Sequence, residues 1–173
     1  MQTIITLIEL TVLRIGKITA YIIVPLVLAT CYEVFSRYLL GAPTIWAYEL
    51  GYILTGTHFL LGASLALQKK THIRIDLIYN HFSPRKKSIV DLTFYCLLFL
   101  PFLILLSHSL WDYGYRAFLS GEQSGQSAWS PPIWPFRMAL TLGFVLLTLQ
   151  VIAEMLKCVN VIRNGSEQPE SET

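Results

Sequence analysis

Charge is scarce in this chain. Only 14% of its 173 residues are Asp, Glu, Lys or Arg, against about 25% in an ordinary soluble domain. A soluble surface cannot be covered with so few charges. Disorder is excluded as well, because it requires low hydrophobicity and high charge, whereas 54% of these residues are hydrophobic. Cysteine is nearly absent too. Three cysteines make no disulfide framework, and Cys31 and Cys96 fall inside apolar runs as small packing residues. A net charge of +2 without a basic stripe gives no footprint for nucleic acid. The chain also lacks a glycine-rich phosphate loop, a metal-ligand spacing and a nucleophile elbow. These absences leave a non-enzymatic integral membrane protein, multi-pass, with its charges in the connectors.

What is present is apolar length. A membrane-crossing helix needs about 20 mostly apolar residues, and four stretches qualify, at about 15–37, 46–68, 90–112 and 133–157. Backbone groups cannot remain unpaired in lipid, so the spans are helices. The predicted fold is an all-α membrane protein of one domain over 1–162. The polar, acidic 163–173 forms a disordered tail. Ahead of the first span, Ile4, Ile5, Leu7, Ile8, Val12 and Ile15 alternate with polar residues. A helix from Thr3 to Tyr38 would be about 54 Å long, so this amphipathic extension lies on the interface or packs against a neighbour. It lacks the basic start and small-residue cleavage pattern of a secretory signal and is expected to be retained. Pro25 and Pro101 lie inside spans and predict kinks. Ser130-Pro131 predicts the start of the fourth helix.

Ten of the thirteen Lys and Arg fall on the side that carries both termini and the central connector. Only Arg37, Arg116 and Arg137 fall on the other. The bias of basic residues toward the cytoplasm predicts both termini inside. Trp46, Trp111, Trp129 and Trp134 then form an outer aromatic belt. The connector 68–88, with Lys69, Lys70, His72, Arg74, Asp76 and Arg85-Lys86-Lys87, reads as an orientation determinant that also meets anionic lipid heads. The outer connector 112–137 has a flexible polar centre, Gly121 to Ser127. It is either a plain re-entry loop or a contact for an external protein.

Ionisable groups near the membrane each need a reason. Glu33 and Arg37 stand four apart in the favourable order for a helical ion pair. They form a self-neutralised pair or a charge contact with a partner subunit. Glu49 opens the second span, where an acidic group suits the helix N-terminus. Gly51, Thr55, His58, Gly62 and Ala66 share one small helical face that should admit another helix. His58 is then a packing histidine with one hydrogen bond, or a proton or haem ligand. Haem between His58 and His108 meets a depth problem. His58 lies twelve residues from Trp46, about 18 Å, while His108 lies three from Trp111, about 5 Å. A haem-bearing anchor of a respiratory oxidoreductase is therefore the alternative class. A self-assembling channel lacks rings of pore charge.

A series of landmarks resembles a known family. Val34-Phe35-Ser36-Arg37-Tyr38 closes span one, and Trp46 with Glu49 opens span two. His72-Ile73-Arg74-Ile75-Asp76 follows span two, Ser83-Pro84-Arg85 precedes span three, and Trp129-Ser130-Pro131-Pro132 leads into span four. Together they resemble the DctQ-like small membrane subunit of tripartite ATP-independent periplasmic (TRAP) transporters, over about Leu13 to Val159. Tyr48 and Gly51 depart from the charged residues the family often carries beside Glu49. The resemblance implies a bacterial inner-membrane subunit without catalytic, substrate, cofactor or metal residues of its own. Its implied partners are a large multi-span subunit, which would bind Na+ and carry an organic acid, and a periplasmic substrate-binding protein. It further implies that the small subunit extends the fixed scaffold and helps dock the binding protein.

Overall fold

A computed structural model describes residues 2–69 and 83–164. The elements among them are helical: α1 (Gln2–Ala20), α2 (Ile23–Leu39), α3 (Ala47–Gln68), α4 (Pro84–Phe94), a π-helical turn (Tyr95–Phe99), α5 (Leu100–Ser120) and α6 (Trp134–Asn164). They join into four helices long and apolar enough to cross a membrane, over 2–39, 47–68, 85–120 and 134–163. The second helix matches its predicted span within a residue, whereas the other three run longer than predicted. Polar turns at the ends continue the hydrogen-bond ladder of the apolar segment instead of stopping at its edge. The third span begins at Pro84, not near 90, and ends at Gly121, whose left-handed φ of 64° closes α5. The fourth begins at Trp134, with Pro135 in its first turn, and not at Ser130-Pro131. Ser130 has a φ of +40° and belongs to the preceding loop.

Both interior prolines distort their spans. Pro25 has no N–H to offer the Tyr21 carbonyl, and the Val24 amide serves that carbonyl instead, at 3.1 Å. The ladder tightens around residues 21 and 22 and separates α1 from α2. Next to Pro101, the Leu100 amide reaches back five residues to the Tyr95 carbonyl, which defines the π turn.

The packing follows from these breaks. Helix α6 is the hub, against α1, α3, α4 and α5. Helix α1 packs on both α3 and α6, whereas α2, beyond the break, keeps mainly to α3. The amphipathic extension thus packs on neighbours through Ile5, Val12, Gly16 and Thr19, which are buried along one face. Gly16 lets α1 approach closely: an added Cβ there would lie 2.7 Å from Leu65 Cδ2.

A polar knot ties α1, α3 and α6 at the end that carries both termini. Lys157 pairs with Glu9 and, at 2.7 Å, with Glu154, which also accepts from Gln150 Nε2 at 3.0 Å. Gln68 Nε2 donates to the Glu9 carbonyl at 3.3 Å. Lys157→Met would leave the nearly buried Glu154 without its cation. We expect a loss of about 2 kcal/mol, below the 3–5 kcal/mol of a fully buried pair because Glu9 is partly hydrated. Hydrogen exchange should then rise across α1. Unchanged protection of α1 would show that its apolar face alone holds it.

Candidate functional site

The opposite end of the bundle carries two connectors, 40–46 and 121–133, and Glu33, Arg37, Glu49, Glu122 and Arg137 are used to fasten them. The first connector folds back onto α2. Glu33 Oε1 accepts from Arg37 Nε at 2.8 Å and Nη2 at 2.5 Å. Its other oxygen accepts from the Thr44 amide at 2.9 Å and from the Thr44 hydroxyl. Ser36 and Ala42 exchange hydrogen bonds, and Tyr32 stacks on Trp46 with ring centroids 5.9 Å apart. The Glu33–Arg37 pair is therefore self-neutralised, and its further use as a latch for Thr44 was not visible in the sequence. An i,i+4 spacing reports only on its own helix.

The second connector is tied by hydrogen bonds along its length. Glu122 and Ile133, and Ser124 and Pro131, are joined by backbone hydrogen bonds of 3.0 and 2.9 Å, with an antiparallel bridge between Gln123 and Pro132. Ser130 Oγ accepts from the Gly125 amide, and Ser127 Oγ from the Trp129 amide. The polar composition that suggested mobility supplies the side-chain acceptors that fix the loop. Two further ties hold it to the helices. Ser124 Oγ donates to Glu49 Oε1 at 2.7 Å, and Glu49 is 0% exposed. Glu122 receives both arms of Arg137, at 2.7 and 2.6 Å. Arg137 also lies over the Tyr113 ring, 3.5 Å from its centroid, a favourable cation–π geometry. The Arg137 hydrogen bonds hold the Glu122 carboxyl below the ordinary carboxylate range.

Below this end, α3 meets α6 with Gly56 against Phe136, and Tyr52 edge-on to Phe136 at 5.6 Å. Glu49 Oε2 and the Tyr52 hydroxyl are buried without hydrogen-bond partners. His58 makes the single hydrogen bond of a packing histidine: its Nδ1 lies 3.0 Å from the Thr19 carbonyl, which can only accept, so this nitrogen carries the hydrogen. The rest of the expected small face is open within this chain. Nothing lies within 4 Å of a Cβ added at Gly51 or Gly62, and Thr55 is exposed. The close helix approaches within the chain are made at Gly16, Gly56, Gly114 and Gly143. An apolar run contains many candidate faces, and the choice among them is made by tertiary packing. Ala66 sits on α3 with Gly62, and Trp129 is 43% exposed on the second connector. His72, Arg74 and Asp76 lie outside the described residues.

This arrangement fastens backbone. Glu33, Glu49 and Glu122 each accept hydrogen bonds from the chain itself, and among the described residues no cluster of His, Cys, Asp and Glu could hold a metal ion. His108 pairs with Asp112 at 3.5 Å on the exposed flank of α5. Helices α3 and α5 each pack on α6, so His58 and His108 do not stand on facing helices.

No curated protein matches the chain significantly. A family model does: Tripartite ATP-independent periplasmic transporters, DctQ component, over residues 26–160. That match covers both clamped connectors, the part of the first membrane-crossing helix beyond Pro25, and all or nearly all of the other three. This chain therefore belongs to the DctQ family, the non-catalytic small membrane components of TRAP transporters.

Proposed function

We propose that this subunit is the fixed, non-transporting part of a sodium-coupled uptake system for an organic acid. It lies against a large multi-span subunit that binds Na+ and carries the substrate. The observation that supports this reading is where the polar groups go. Glu33, Glu122, Glu154, Arg137 and Lys157 are each tied to groups of the same chain. A transport path would leave such groups facing a cavity. The abundance of Lys and Arg at the terminal end favours that end in the cytoplasm. The two clamped connectors then face the periplasm, where they form a firm surface for the substrate-binding protein.

Reconstitution tests this. Proteoliposomes with the large subunit, the binding protein and this chain should accumulate a radiolabelled organic acid that the binding protein retains, and only under an inward Na+ gradient. Omitting this chain should reduce uptake to background. Full uptake without it would overturn the scaffold role, and uptake indifferent to Na+ would overturn the coupling.

A further inference from the structure

The flank of α5 turned away from α6 carries a row of ionisable side chains. Helix α5 buries Leu103, Gly114 and Ala117 on one side. On the opposite side His108, Asp112 and Arg116 follow one another at four-residue steps, between the exposed Leu105 and Leu119. The His108 and Asp112 side chains are 76% and 48% exposed, and Arg116 is exposed too. Their depth follows from contacts on the buried side. A Cβ at Gly114 would meet Met138 and Arg137 of α6, and one at Gly143 would meet Leu60 of α3. Helix α5 runs antiparallel to α6, so His108, six residues before Gly114, stands level with Gly143 and with Leu60. The 22 residues of α3 extend about 33 Å, close to the thickness of a bilayer core. Leu60, and His108 with it, then lies about 20 Å from the connector end of α3 and about 12 Å from the other. Asp112 lies about 14 Å from the connector end. Both are deeper than their spacing from Trp111 suggests, because α5 continues more than two turns past Trp111 before Gly121 closes it.

Hydrocarbon is a poor cover for that row. An ionisable group at such depth faces protein or a water-filled cavity, because lipid tails offer it no hydrogen bond. Long basic side chains can reach the headgroups, but those of His108 and Asp112 are short. They also lean toward the N-terminus of their helix, which for α5 is the end away from the connectors, and so toward the middle of the bilayer. A water-soluble protein seated outside the membrane cannot reach them. A second copy related by a two-fold axis would set Asp112 against Asp112 and Arg116 against Arg116, like charge against like. We infer that this flank of α5 is the seam against the large membrane subunit. That subunit meets it with a helix that carries hydrogen-bonding side chains opposite His108 and Asp112, and a carboxylate or carbonyl opposite Arg116. The inference rests on the proposed place beside that subunit and adds the face and its chemistry. Polar groups at fixed depth also set the register of the two subunits, since a slip of one turn would leave them facing apolar side chains.

Two measurements on the complete transporter in nanodiscs separate the reading from the inference. A photo-crosslinking residue in place of Leu105, one turn from His108, reports what lies on the flank. We expect crosslinks to the large subunit. Crosslinks to a second copy, or to lipid alone, in a preparation that retains the large subunit would overturn the assigned face and leave the scaffold reading intact. A preparation in which the large subunit does not accompany the parent chain at all would overturn both. The double variant His108→Leu, Asp112→Leu should lower the amount of large subunit that co-purifies about fivefold, in the range of hydrogen bonds between membrane helices. The isolated variant should keep the sizing profile of the parent, because the two side chains stand on the exposed side of α5. A complex retained in full by a variant with that profile would show that the polar row is not part of the seam.

Discussion

Gly143→Leu should prevent this chain from reaching a monodisperse folded state, whereas Gly62→Leu in the isolated chain should be tolerated. The difference comes from what each glycine faces. A Cβ at Gly143 would stand 2.7 Å from Leu60 Cγ and 3.3 Å from the Leu60 backbone carbon. The first neighbour is a side chain that can turn, but the second is backbone and cannot. Helix α6 would have to move off α3, the contact on which its hub position depends. Overpacking usually costs about 1–3 kcal/mol, and backbone contact places this substitution at or above the upper end. At Gly62 no atom of the chain lies within 4 Å of the new Cβ. Size-exclusion profiles and thermal unfolding in detergent decide both points. The double variant Gly143→Leu, Leu60→Ala should recover part of the loss, because it removes the side-chain part of the collision. A Gly143→Leu chain that unfolds like the parent would show that the α3–α6 crossing can widen at little cost. If Gly62→Leu destabilised the isolated chain, the open face assigned to α3 would be wrong.

The second large effect is expected at Arg137. Its guanidinium is nearly buried and joins three elements: Glu122 in the connector, Tyr113 in α5 and its own helix α6. Arg137→Ala removes two charge-assisted hydrogen bonds and a cation–π contact. We expect a loss of about 2–3 kcal/mol, short of the full cost of breaking a buried pair because Glu122 is half exposed and can hydrate. Protease cutting or amide exchange between residues 121 and 133 should increase while the helices stay protected. Acid should act in the same direction. The carboxyl of Glu122 is lowered in the folded state, so its stabilising tie is complete above the ordinary carboxylate range. The tie is lost as pH falls through that range and below it. Opening of the connector on acidification should therefore be seen in the parent and be absent in Glu122→Gln, in which the connector is already weakened. A connector equally protected at neutral and acidic pH would show that the backbone bonds and the Ser124–Glu49 tie suffice.

The number and kind of the elements were legible in the sequence because lipid leaves the backbone little choice. Length and hydropathy located four spans, Pro25 and Pro101 announced their distortions, and the spacing of Glu33 and Arg37 announced their pairing. His58 was readable as a packing residue through its place in the span, but its acceptor, the Thr19 carbonyl 39 residues away, was not. The same limit hid Ser124 behind Glu49 and Glu122 behind Arg137. A contact between remote residues leaves no mark on local periodicity, and a glycine- and serine-rich loop has the same composition whether clamped or loose. The small face expected on α3 is left open by the chain itself at Gly51 and Gly62, and local spacing could not say whether the helix it admits belongs to this chain. Glycines occur on several faces of the spans, and among the described residues Gly16, Gly56, Gly114 and Gly143 are the ones that face another helix of the chain closely.

The partition of contacts around the Pro25 break has a consequence for lateral shape. In the half of the molecule nearest the connectors, α2 touches mainly α3, α3 touches α6, and α6 touches α5. Four helices in single file, spaced about 8–10 Å apart, make a plank about 40 Å long and one helix thick. A square of the same helices would measure about 20 Å on each side. A neighbour lying along one broad side of the plank meets every span at once. Such a plank adds breadth to whatever it joins and resists being turned in the plane of the bilayer, as a keel resists the turning of a hull.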